Sequence, residues 1–502
     1  MNYPIYTELP IQDAFVIEYR AFSDSRGYLA ELYNSNKYKQ AETENLQQIT
    51  LSQSKKNVLR GIHKVPYSKL VTCVRGAIYD VIVDLRHNSP TFLMWVSIVL
   101  TQSNHKQLYI PADCGHAFLS LENDTLVVYG QSQPFNPALE DNCRFDDPFV
   151  NVYWHLDIAK LEISPKDRDT ALLIPDNLPK GLSPHRTRIL IIGASGQLGS
   201  ILTYKLQKYY QLQYVVYGTY CNNKVDTHCV KMDLNSSSTE NTFSYHSLLQ
   251  LCHPNIVIIC AAMTWVDGCE KSQNKAYDIN CNAVFSLSLE AKKIGAKTIY
   301  ISTDYVFGGV LPIYGDKYME EDTISPLNVY GKTKHRGEQF VLSISKDNLV
   351  VRTSSLFGPD KLNKNFPCQV VRKLKDNLKF PAFSHVVSTP TYTVDLAECI
   401  IQLLVHDCSG VMHLAGPESA SKYDWALKIA NSFNLENTLI EKVDSFPALV
   451  AKRPLNSSLA NNRIGYILPE FKFRGIQDAL EDWMINFPDS LDDIVNPTKS
   501  KL

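Results

Sequence analysis

Short runs of apolar, β-favouring residues separated by turns fill the first third of the chain. Strand-length runs rich in Val, Ile, Tyr and Trp lie at residues 70–74, 77–85, 95–100 and 107–110. Turn-forming pairs such as Ser89-Pro90 and Asn123-Asp124 separate the strands. Helical spacing is scarce before residue 175. An antiparallel sandwich or jelly roll closes so many short strands, and this part is therefore predicted to be an all-β jelly roll.

The pattern changes at residue 187, where apolar strands begin to alternate with helical stretches. A strand at 188–192 runs into a glycine turn and a helix at 197–209. Strands at 256–262 and 298–302 then alternate with a helix at 282–294. This alternation is typical of βαβ units, and it predicts an α/β Rossmann domain with a parallel, doubly wound sheet.

The two patterns meet in the polar segment PDNLPKGLSPHR (175–186), which contains three prolines and is typical of a linker. We therefore expect a multidomain chain with an N-terminal domain at residues 1–175, a linker at 176–186, a C-terminal domain at 187–490 and a tail at 491–502. The final Ser500-Lys501-Leu502 matches a peroxisomal address, but three residues match by accident fairly often.

Composition narrows the classes of protein that fit. The 502 residues are 44% hydrophobic and 20% charged, with a net charge of −2, which is ordinary for a soluble globular protein. No basic excess indicates a nucleic-acid or membrane-surface partner, and the apolar runs are far shorter than the ~20 residues of a membrane helix. The N-terminus lacks a signal-peptide pattern and the twelve cysteines form no C-x-x-C pairs. We expect a cytoplasmic protein without a disulfide framework.

A glycine-rich turn, GASGQLG, follows the first strand of the second half and opens its helix. Gly193, Gly196 and Gly199 would allow a tight turn, close approach of the backbone to a pyrophosphate, and close packing of helix on strand. Gln197 and Leu198 lie within the same turn. In this strand–turn–helix context the spacing predicts a dinucleotide site.

Tyr330 and Lys334 are four residues apart and would share one face of a helix. A lysine ammonium near the phenol is expected to lower the pKa of the tyrosine, which could then donate a proton to a carbonyl oxygen. Y-x-x-x-K is also common on solvated helices. Thr303, at the end of a predicted strand where doubly wound folds place their ligands, favours the catalytic interpretation.

These motifs, in this order, resemble the extended short-chain dehydrogenase/reductase family, specifically nucleotide-sugar 4-reductases of the dTDP-4-dehydrorhamnose reductase type. The resemblance covers about 300 residues and rests on GASGQLG, CAAMTWVDGCE (260–270), STDYVFGG (302–309), NVYGKTKHRGE (328–338), VRTSSLFG (351–358) and KRPLNSSL (452–459).

The resemblance implies roles for single residues. Thr303 would polarise a substrate ketone, Tyr330 would donate the proton, and Lys334 would hold the cofactor ribose and tune Tyr330. The other implied contacts are to the cofactor, by Asp233, Ala261 and Ala262, and to the sugar nucleotide, by Arg453 and Asn456. NADPH is the preferred cofactor because residues 215–223 contain no acidic side chain, and NADH stays open. Where the family often has D-Q-x-G, this chain reads SHVVS (384–388).

In the N-terminal half, LRGIH (59–63) is the first chemical signal, and it lacks the H-x-H pair of metal-binding cupins, so no metal is expected. Together with DSRGY (24–28), VDLR (83–86), QLYIP (107–111), GHAF (115–118) and ISPKD (163–167), it resembles dTDP-4-dehydrorhamnose 3,5-epimerase, a cupin jelly roll, over about 170 residues.

An epimerase needs a base for a C–H beside a ketone, a cation for the enolate, and a proton donor on the opposite face. The resemblance implies that His63 is the base with Asp167 as its partner, that Lys69 stabilises the enolate oxygen, and that Tyr129 returns the proton. The residues implied in substrate binding are Arg26 and Arg60, at the diphosphate, and His116.

Two departures and one chemical argument shape the prediction for the whole chain. GQSQPF (130–135) replaces the family's second tyrosine pair, and the loop before Lys69 is short, so C3 epimerisation is favoured over C5. Epimerisation requires the C4 ketone that reduction removes, so the cupin must act first. The expected product is a 6-deoxy-L-sugar nucleotide such as L-rhamnose.

Several alternatives stay open. The carrier could be UDP or dTDP, and the sugar could be a 2-acetamido analogue of the N-acetyl-L-rhamnosamine or fucosamine type. The C-terminal half also resembles the regulatory subunit of methionine adenosyltransferase, a binding partner rather than an enzyme.

A homodimer is expected from the cupin family. The fused arrangement resembles nucleotide-sugar enzymes of giant DNA viruses, which would place the protein in a host cytoplasm.

Overall fold

The computed structural model describes residues 3–39, 46–224, 229–235, 243–311, 315–360, 363–444 and 450–490. The regular elements before residue 175 are β1 (Ile5–Glu8), β2 (Phe15–Glu18), β3 (Ala21–Asp24), β4 (Gly27–Ala30), β5 (Gln48–Ser54), β6 (Val58–Lys64), β7 (Lys69–Arg75), β8 (Ala77–Asp84), β9 (Trp95–Thr101), β10 (Lys106–Ile110), β11 (Cys114–Ser120), β12 (Thr125–Gln131), β13 (Asp141–Asn142), β14 (Glu162–Ile163) and α1 (Pro165–Arg168). The tail at 491–502, with its terminal tripeptide, lies outside the described residues.

Two mainly antiparallel sheets face each other in the N-terminal half. The first has the order β1-β2-β10-β7-β12-β5 and the second β13-β6-β11-β8-β9. Alternate residues of each strand point between the sheets, where Val71 and Val127 of the first join the same apolar core as Ile82 and Phe118 of the second. The predicted all-β jelly roll is confirmed.

The elements of the C-terminal half are β15 (Thr187–Ile192), α2 (Gln197–Tyr209), β16 (Tyr214–Tyr220), β17 (Cys229–Lys231), α3 (Tyr245–Cys252), β18 (Ile256–Ile259), α4 (Val266–Lys271), α5 (Gln273–Tyr277), α6 (Ala283–Lys293), β19 (Lys297–Thr303), α7 (Val329–Ile344), β20 (Leu349–Thr353), β21 (Leu356–Phe357), α8 (Phe366–Lys375), β22 (Phe380–Phe383), β23 (Val387–Ser388), β24 (Thr391–Tyr392), α9 (Thr393–Leu403), β25 (Gly410–His413), β26 (Ala420–Ser421), α10 (Lys422–Ser432), β27 (Ile440–Val443), α11 (Asn462–Ile467) and α12 (Ile476–Asn486).

A parallel sheet of order β17-β16-β15-β18-β19-β20-β25 forms the centre of this half, which confirms the predicted Rossmann architecture. The strand expected at 256–262 ends earlier, at Ile259. Beyond it the Ala261 N–H donates to the Ile192 carbonyl at 2.9 Å as the chain leaves the sheet, so Ala261 and Ala262 lie on a loop.

The two halves pack directly on each other. Strand β9 lies against α3, and the Ser97 hydroxyl donates to the Gln250 carbonyl at 2.8 Å. The Tyr217 hydroxyl of β16 donates to the Trp95 carbonyl at 2.7 Å. Apolar residues of both halves belong to one buried cluster. The interface therefore covers one edge of the second sheet.

The segment predicted as a linker takes part in this interface. It begins in a 3-10 turn, Pro175–Asn177, and ends at Arg186, which is buried and donates to the Leu93 carbonyl at 3.2 Å. Arg188 follows, donating to the His253 carbonyl at 2.8 Å with its guanidinium 5.2 Å from the centre of the Trp95 ring. The exact domain limits stay predictions.

Candidate active sites

A polar cluster lies between the two sheets of the N-terminal half. His116 and Asp80 occupy neighbouring strands of the second sheet, on the same face as the core residue Phe118. His63 of β6 is paired in register with His116. Lys69 and Tyr129 come from the facing sheet. The fold thus gathers residues that are up to 66 positions apart in the sequence, from His63 to Tyr129.

The His63 ring is held by Asp167. Its Nε2 lies 2.7 Å from Asp167 Oδ1, and the Gly61 N–H donates to the other carboxylate oxygen at 3.4 Å. Ser164 caps the short helix α1 by accepting from the Asp167 N–H at 3.1 Å. Burial by itself raises the pKa of Asp167, but its hydrogen bonds, the one with His63 foremost, lower it overall. An ionised Asp167 accepts a hydrogen bond from the Nε2–H, so Nδ1 carries the lone pair that can take a proton.

A glycine is needed beside this pair. Gly61 has φ of +117°, and a Cβ there would lie 2.5 Å from the His116 carbonyl oxygen. A larger residue would push β6 away from β11, the strand that carries His116.

Lys69 is buried at the cluster and lies among carboxylates. Burial lowers the pKa of its ammonium to about 8, and the charges of Glu140 and Asp80 oppose that change. Asp80 Oδ1 lies 2.6 Å from His116 Nε2, while Asp80 Oδ2 has no hydrogen-bond partner among the described residues. Burial raises the pKa of Asp80 and lowers that of His116. Asp80 was not predicted as a site residue from the sequence. A single carboxylate within the apolar run AIYDVIV (77–83) is the feature that could have indicated it.

Tyr129 stands on the sheet opposite His63. Its ring meets the His116 ring edge-on at 5.9 Å. Burial raises the pKa of the Tyr129 phenol, while the positive charge of Arg60 and a hydrogen bond with Ser52 oppose that rise. Tyr129 is therefore a protonated donor at neutral pH.

Of the two arginines predicted to bind the diphosphate, the structure brings one to the site. Arg60 lies on β6 and donates to the Ser54 hydroxyl at 3.1 Å. Arg26 lies at the turn of the β3–β4 hairpin, where its side chain is 88% exposed and pairs with Asp24 at 2.6 Å. Strands β3 and β4 pair with each other rather than with either sheet, so Arg26 lies on a hairpin outside both sheets.

The glycine turn of the C-terminal half is closely packed where a pyrophosphate would approach. Gly193 has φ of +86°, and a Cβ on Gly199 would lie 2.1 Å from the Gly193 carbonyl oxygen. Gly196 is exposed at the start of α2. The buried Gln197 Nε2 has no hydrogen-bond partner among the described residues. The adjacent Leu198 is buried in the core.

These features fit a dinucleotide, since the turn presents a helix N-terminus and an unused amide donor. Asp233 lies just beyond β17, where it accepts from the Asn235 N–H at 2.9 Å. Ala261 and Ala262 lie on the loop after β18, and the Ala261 backbone approaches within 2.9 Å of a Cβ built on Gly193. The structure therefore brings the predicted cofactor residues to the carboxyl edge of the sheet.

Thr303 and Tyr330 meet at this same edge. Thr303 ends β19, and Tyr330 lies in the first turn of α7, whose start is capped by Asn328 accepting from the Gly331 N–H at 2.8 Å. The Thr303 hydroxyl acts on the Tyr330 phenol and favours its ionised form. Two hydroxyl groups thus converge at a strand end, as polarisation and protonation of one ketone oxygen require.

The predicted lowering of the Tyr330 pKa is wrong for this structure. Burial raises the pKa of the phenol, and the neighbouring Thr303 hydroxyl opposes that rise. Lys334 instead donates to the Ile301 carbonyl at 2.6 Å and lies 4.0 Å from the centre of the Tyr300 ring. Burial lowers the pKa of Lys334 to about 7. Spacing on a helix put the two side chains on one face, but desolvation outweighs any attraction between them.

Asn280 is a site residue that sequence reasoning missed. It lies in a π-helical turn, Asp278–Asn282, where its amide accepts from the Met263 N–H at 2.8 Å and donates to the Thr333 hydroxyl at 3.2 Å. It thereby ties the loop after β18 to α7. No spacing rule places an isolated asparagine in such a role.

Arg453 and Asn456 lie on the segment that returns towards the sheet. The Arg453 guanidinium pairs with Asp267 at 2.9 Å. Asn456 accepts from the Ser458 N–H at 3.0 Å and forms a bridge with Val387. Their side chains are partly exposed, so both remain accessible to a ligand.

Neither a metal-ligand cluster nor a helix that could cross a membrane was found in the parts of the chain that the structure describes.

Family models match both halves. One described as RmlD substrate binding domain matches residues 187–486, and one described as dTDP-4-dehydrorhamnose 3,5-epimerase matches residues 8–174. The dTDP-4-dehydrorhamnose 3,5-epimerase of Methanothermobacter thermautotrophicus is 34% identical over 169 residues, which cover 33% of this chain and 91% of that protein.

Two further proteins are similar to the C-terminal half. Methionine adenosyltransferase 2 subunit beta from Pongo abelii is 31% identical over 320 residues, covering 60% of this chain and 90% of that protein. The crystal structure of dTDP-4-dehydrorhamnose reductase from Bacillus anthracis str. Ames, in complex with NADP, is 30% identical with a TM-score of 0.53, covering 60% of this chain and 99% of that chain. These relatives do not support the resemblance to giant-virus enzymes.

The chain thus belongs to the RmlD substrate binding domain family over residues 187–486 and to the dTDP-4-dehydrorhamnose 3,5-epimerase family over residues 8–174.

Proposed function

We propose that this chain is a bifunctional nucleotide-sugar enzyme. It epimerises a UDP- or dTDP-linked 4-keto-6-deoxyhexose at C3 and then reduces the C4 ketone with NADPH. Epimerisation at C5 as well is the wider alternative, which deuterium exchange at C5 distinguishes. The product is a 6-deoxy-L-sugar nucleotide such as L-rhamnose. The observation that carries the proposal is the presence in one chain of two separate proton-transfer sets, His63–Asp167 with Tyr129 and Thr303 with Tyr330.

The epimerase set supports inversion at carbon. His63 takes the C3 hydrogen as a proton, and the electron pair of that C–H bond moves towards C4, leaving the negative charge on the ketone oxygen. Lys69 faces that charge as a cation. Tyr129 gives its proton to C3 from the opposite sheet and therefore to the opposite face, after which proton exchange with solvent restores both groups.

The reductase set supports protonation of the C4 oxygen. A nicotinamide cofactor held at the Gly193–Gly199 turn would supply the hydride that C4 receives. The Thr303 hydroxyl, which donates to Asp304 in this structure, turns its hydrogen to the bound ketone oxygen and orients it, and Tyr330 transfers the proton that completes the new hydroxyl. A solved relative carries NADP, and no acidic residue lies at 215–223, so NADPH is preferred over NADH.

The test is proton NMR in D₂O with dTDP-4-keto-6-deoxyglucose or its UDP form, first without NADPH. Exchange at C3 and C5 supports a 3,5-epimerase, and exchange at C3 alone restricts it to C3. NADPH is then added, and oxidation at 340 nm with appearance of an equatorial or axial C4 proton signal reports reduction. If neither exchange nor oxidation occurs with either carrier, the proposal fails for this sugar, and the 2-acetamido analogue is tested next.

A non-catalytic role has one specific observation in its favour, the similarity of the C-terminal half to methionine adenosyltransferase 2 subunit beta. The Thr303–Tyr330 contact favours catalysis instead. Sustained turnover would exclude a purely regulatory role for this half. A homodimer and a cytoplasmic location stay predictions.

A further inference from the structure

A second polar network surrounds Asp304, the residue after Thr303. Its carboxylate accepts from the Thr303 hydroxyl at 3.0 Å, the Ser354 hydroxyl at 2.8 Å and the Ser457 hydroxyl at 2.5 Å. Asp304 is buried, and burial raises its pKa. Three hydroxyl donors and a nearby cation, Lys422, oppose that rise. This network connects the catalytic threonine to the lobe built from the last hundred residues.

Lys422 brings the positive charge to this network. It is the first residue of α10, and its ammonium donates to the Ser355 hydroxyl at 3.2 Å. The Ser355 and Ser388 hydroxyl oxygens lie 2.9 Å apart. On its other side the ammonium lies 4.6 Å from the centre of the Trp425 ring and 4.9 Å from that of Phe366.

The donors of Lys422 are not used up by the protein. An ammonium has three N–H donors, and Ser355 is the acceptor that the described residues provide. Aromatic faces attract a cation but accept no strong hydrogen bond. A cation with two spare donors, whose charge acts on Asp304 just beyond the carboxyl end of β19, is arranged to receive an oxygen from outside the chain.

We propose that Lys422 is a specificity-determining residue of the reductase site, which binds a ring oxygen substituent, hydroxyl or acetamido carbonyl, of the 4-keto sugar. This inference rests on the proposed reductase function. The ligand is the sugar rather than the diphosphate because the charge of Lys422 acts on Asp304, whose carboxylate accepts from Thr303, the group proposed to hold the reacting ketone. Lys422 thus acts at the sugar, and Arg453 remains the residue expected at the nucleotide.

A pH dependence follows that a packing role would not produce. Burial lowers the pKa of Lys422 to about 8, and Asp304, from the end of β19, opposes this as the charged group that acts on it. The other side chains that contact it, on α8, on its own helix and between β20 and β21, are the neutral Phe366, Trp425 and Ser355. Above about pH 8 the ammonium loses its charge, and binding of the sugar weakens.

The experiment measures NADPH oxidation by the full chain at saturating NADPH. The 4-keto sugar nucleotide is first equilibrated with the same chain, so that epimerisation does not limit the rate, and the assay covers pH 6.5 to 9.5. Lys422→Met keeps the apolar stem and removes the charge, and Lys422→Arg keeps the charge. Lys428→Met, on the same helix with its partner Glu418 at the surface, is the matched control.

We expect Lys422→Met to raise KM for the sugar nucleotide about 10-fold to 100-fold, the range for loss of a charged hydrogen bond, with a smaller change in kcat and none in KM for NADPH. KM of the wild type should rise above about pH 8, whereas KM of Lys422→Met should be independent of pH. Lys422→Arg should remove the rise while keeping KM near the wild-type value at pH 7. The control should match the wild type.

Three results would overturn the inference. The first is a Lys422→Met enzyme whose KM and pH profile match the wild type. The second is weaker inhibition by free dTDP in that variant, which would place the contact at the diphosphate. The third applies if Lys422→Met fails to fold: a wild-type KM for the sugar nucleotide that does not change with pH through pH 8 would contradict the inference. Absence of wild-type turnover is a different result, since it removes the proposed function itself.

Discussion

Burial sets the proton affinity of the lysines at both candidate sites. An ordinary lysine keeps its charge up to about pH 10. Desolvation lowers the pKa of Lys69 to about 8 and that of Lys334 to about 7. Both pKa values are therefore close to neutral pH, and each lysine changes its charge within the pH range in which the enzyme can be assayed.

Lys69 gives the first prediction at this scale. If its cation stabilises the enolate, deuterium exchange at C3 should fall as the pH rises through about 8, because the lowered pKa means that the charge is present below 8 and absent above. NMR exchange rates between pH 7 and 9.5 measure this. Lys69→Met should be slow throughout with no such fall. A wild-type rate that stays level until pH 10 would contradict the assignment.

Asp167 gives the second prediction. Asp167→Asn keeps the shape but removes the charge that orients and supports His63, so C3 exchange should drop about 100-fold. NADPH oxidation with substrate that the wild-type chain has already epimerised should be unchanged, which is the internal control. Equal loss of both activities would mean that the variant disturbs the fold and not the base.

At the scale of elements, the side chains of the candidate sites lie either on strand faces or at strand ends. In the sandwich, alternation puts Asp80 and His116 between the sheets, opposite Lys69 and Tyr129. In the Rossmann half, β19 ends at Thr303 and the first turn of α7 brings Tyr330 to it. The hairpin β3–β4 shows the reverse case, since Arg26 lies on an element that neither sheet incorporates.

The turn between β15 and α2 gives a prediction at this scale. Gly199→Ala would place a Cβ 2.1 Å from the Gly193 carbonyl oxygen, so the turn must open. We expect a loss of about 1–3 kcal/mol in the free energy of unfolding and at least a tenfold weaker NADPH affinity, measured by urea titration and fluorescence.

Gly465→Ala is the matched control, because a Cβ at that helical position meets nothing within 4 Å. Alanine favours a helix over glycine by up to about 1 kcal/mol, so this variant should be as stable as the wild type or more so. NADPH binding of Gly199→Ala equal to that of Gly465→Ala would show that the turn does not hold the cofactor.

At the scale of the whole molecule, the two halves form a continuous structure. Polar bonds from Ser97, Tyr217 and Arg188 cross between them, and their apolar residues share a buried cluster. The edge strand β9 is covered by α3 and is thereby protected from pairing with another chain.

This interface predicts a single cooperative thermal transition for the full chain. Arg188→Met would remove donors to the His253 and Asn151 carbonyls, and it should lower the free energy of unfolding by about 2 kcal/mol while the transition stays single. Calorimetry measures both effects. Arg463→Met, which removes an exposed pair with Glu321 and an exposed bond to the Val411 carbonyl, should have a smaller effect. Two well-separated wild-type transitions would mean that the halves unfold independently.

The sequence alone determined the fold class and the order of the two halves, and it singled out most of the residues that the fold brings together in the two polar clusters. It could do so because strands and helices have fixed periods, and because GASGQLG and Y-x-x-x-K depend on spacing within a single element. The helix expected at 197–209 has those bounds in the structure.

Only the tertiary structure decided what depends on distant parts of the chain. It placed Asp80 between the two sheets and Asn280 against the loop after β18, put Arg26 on a separate hairpin, and brought the charge of Lys422 to bear on Asp304 across 118 positions. It also reversed the expected pKa change of Tyr330, because spacing reveals which side chains are neighbours on one helix, whereas desolvation depends on everything that packs around them.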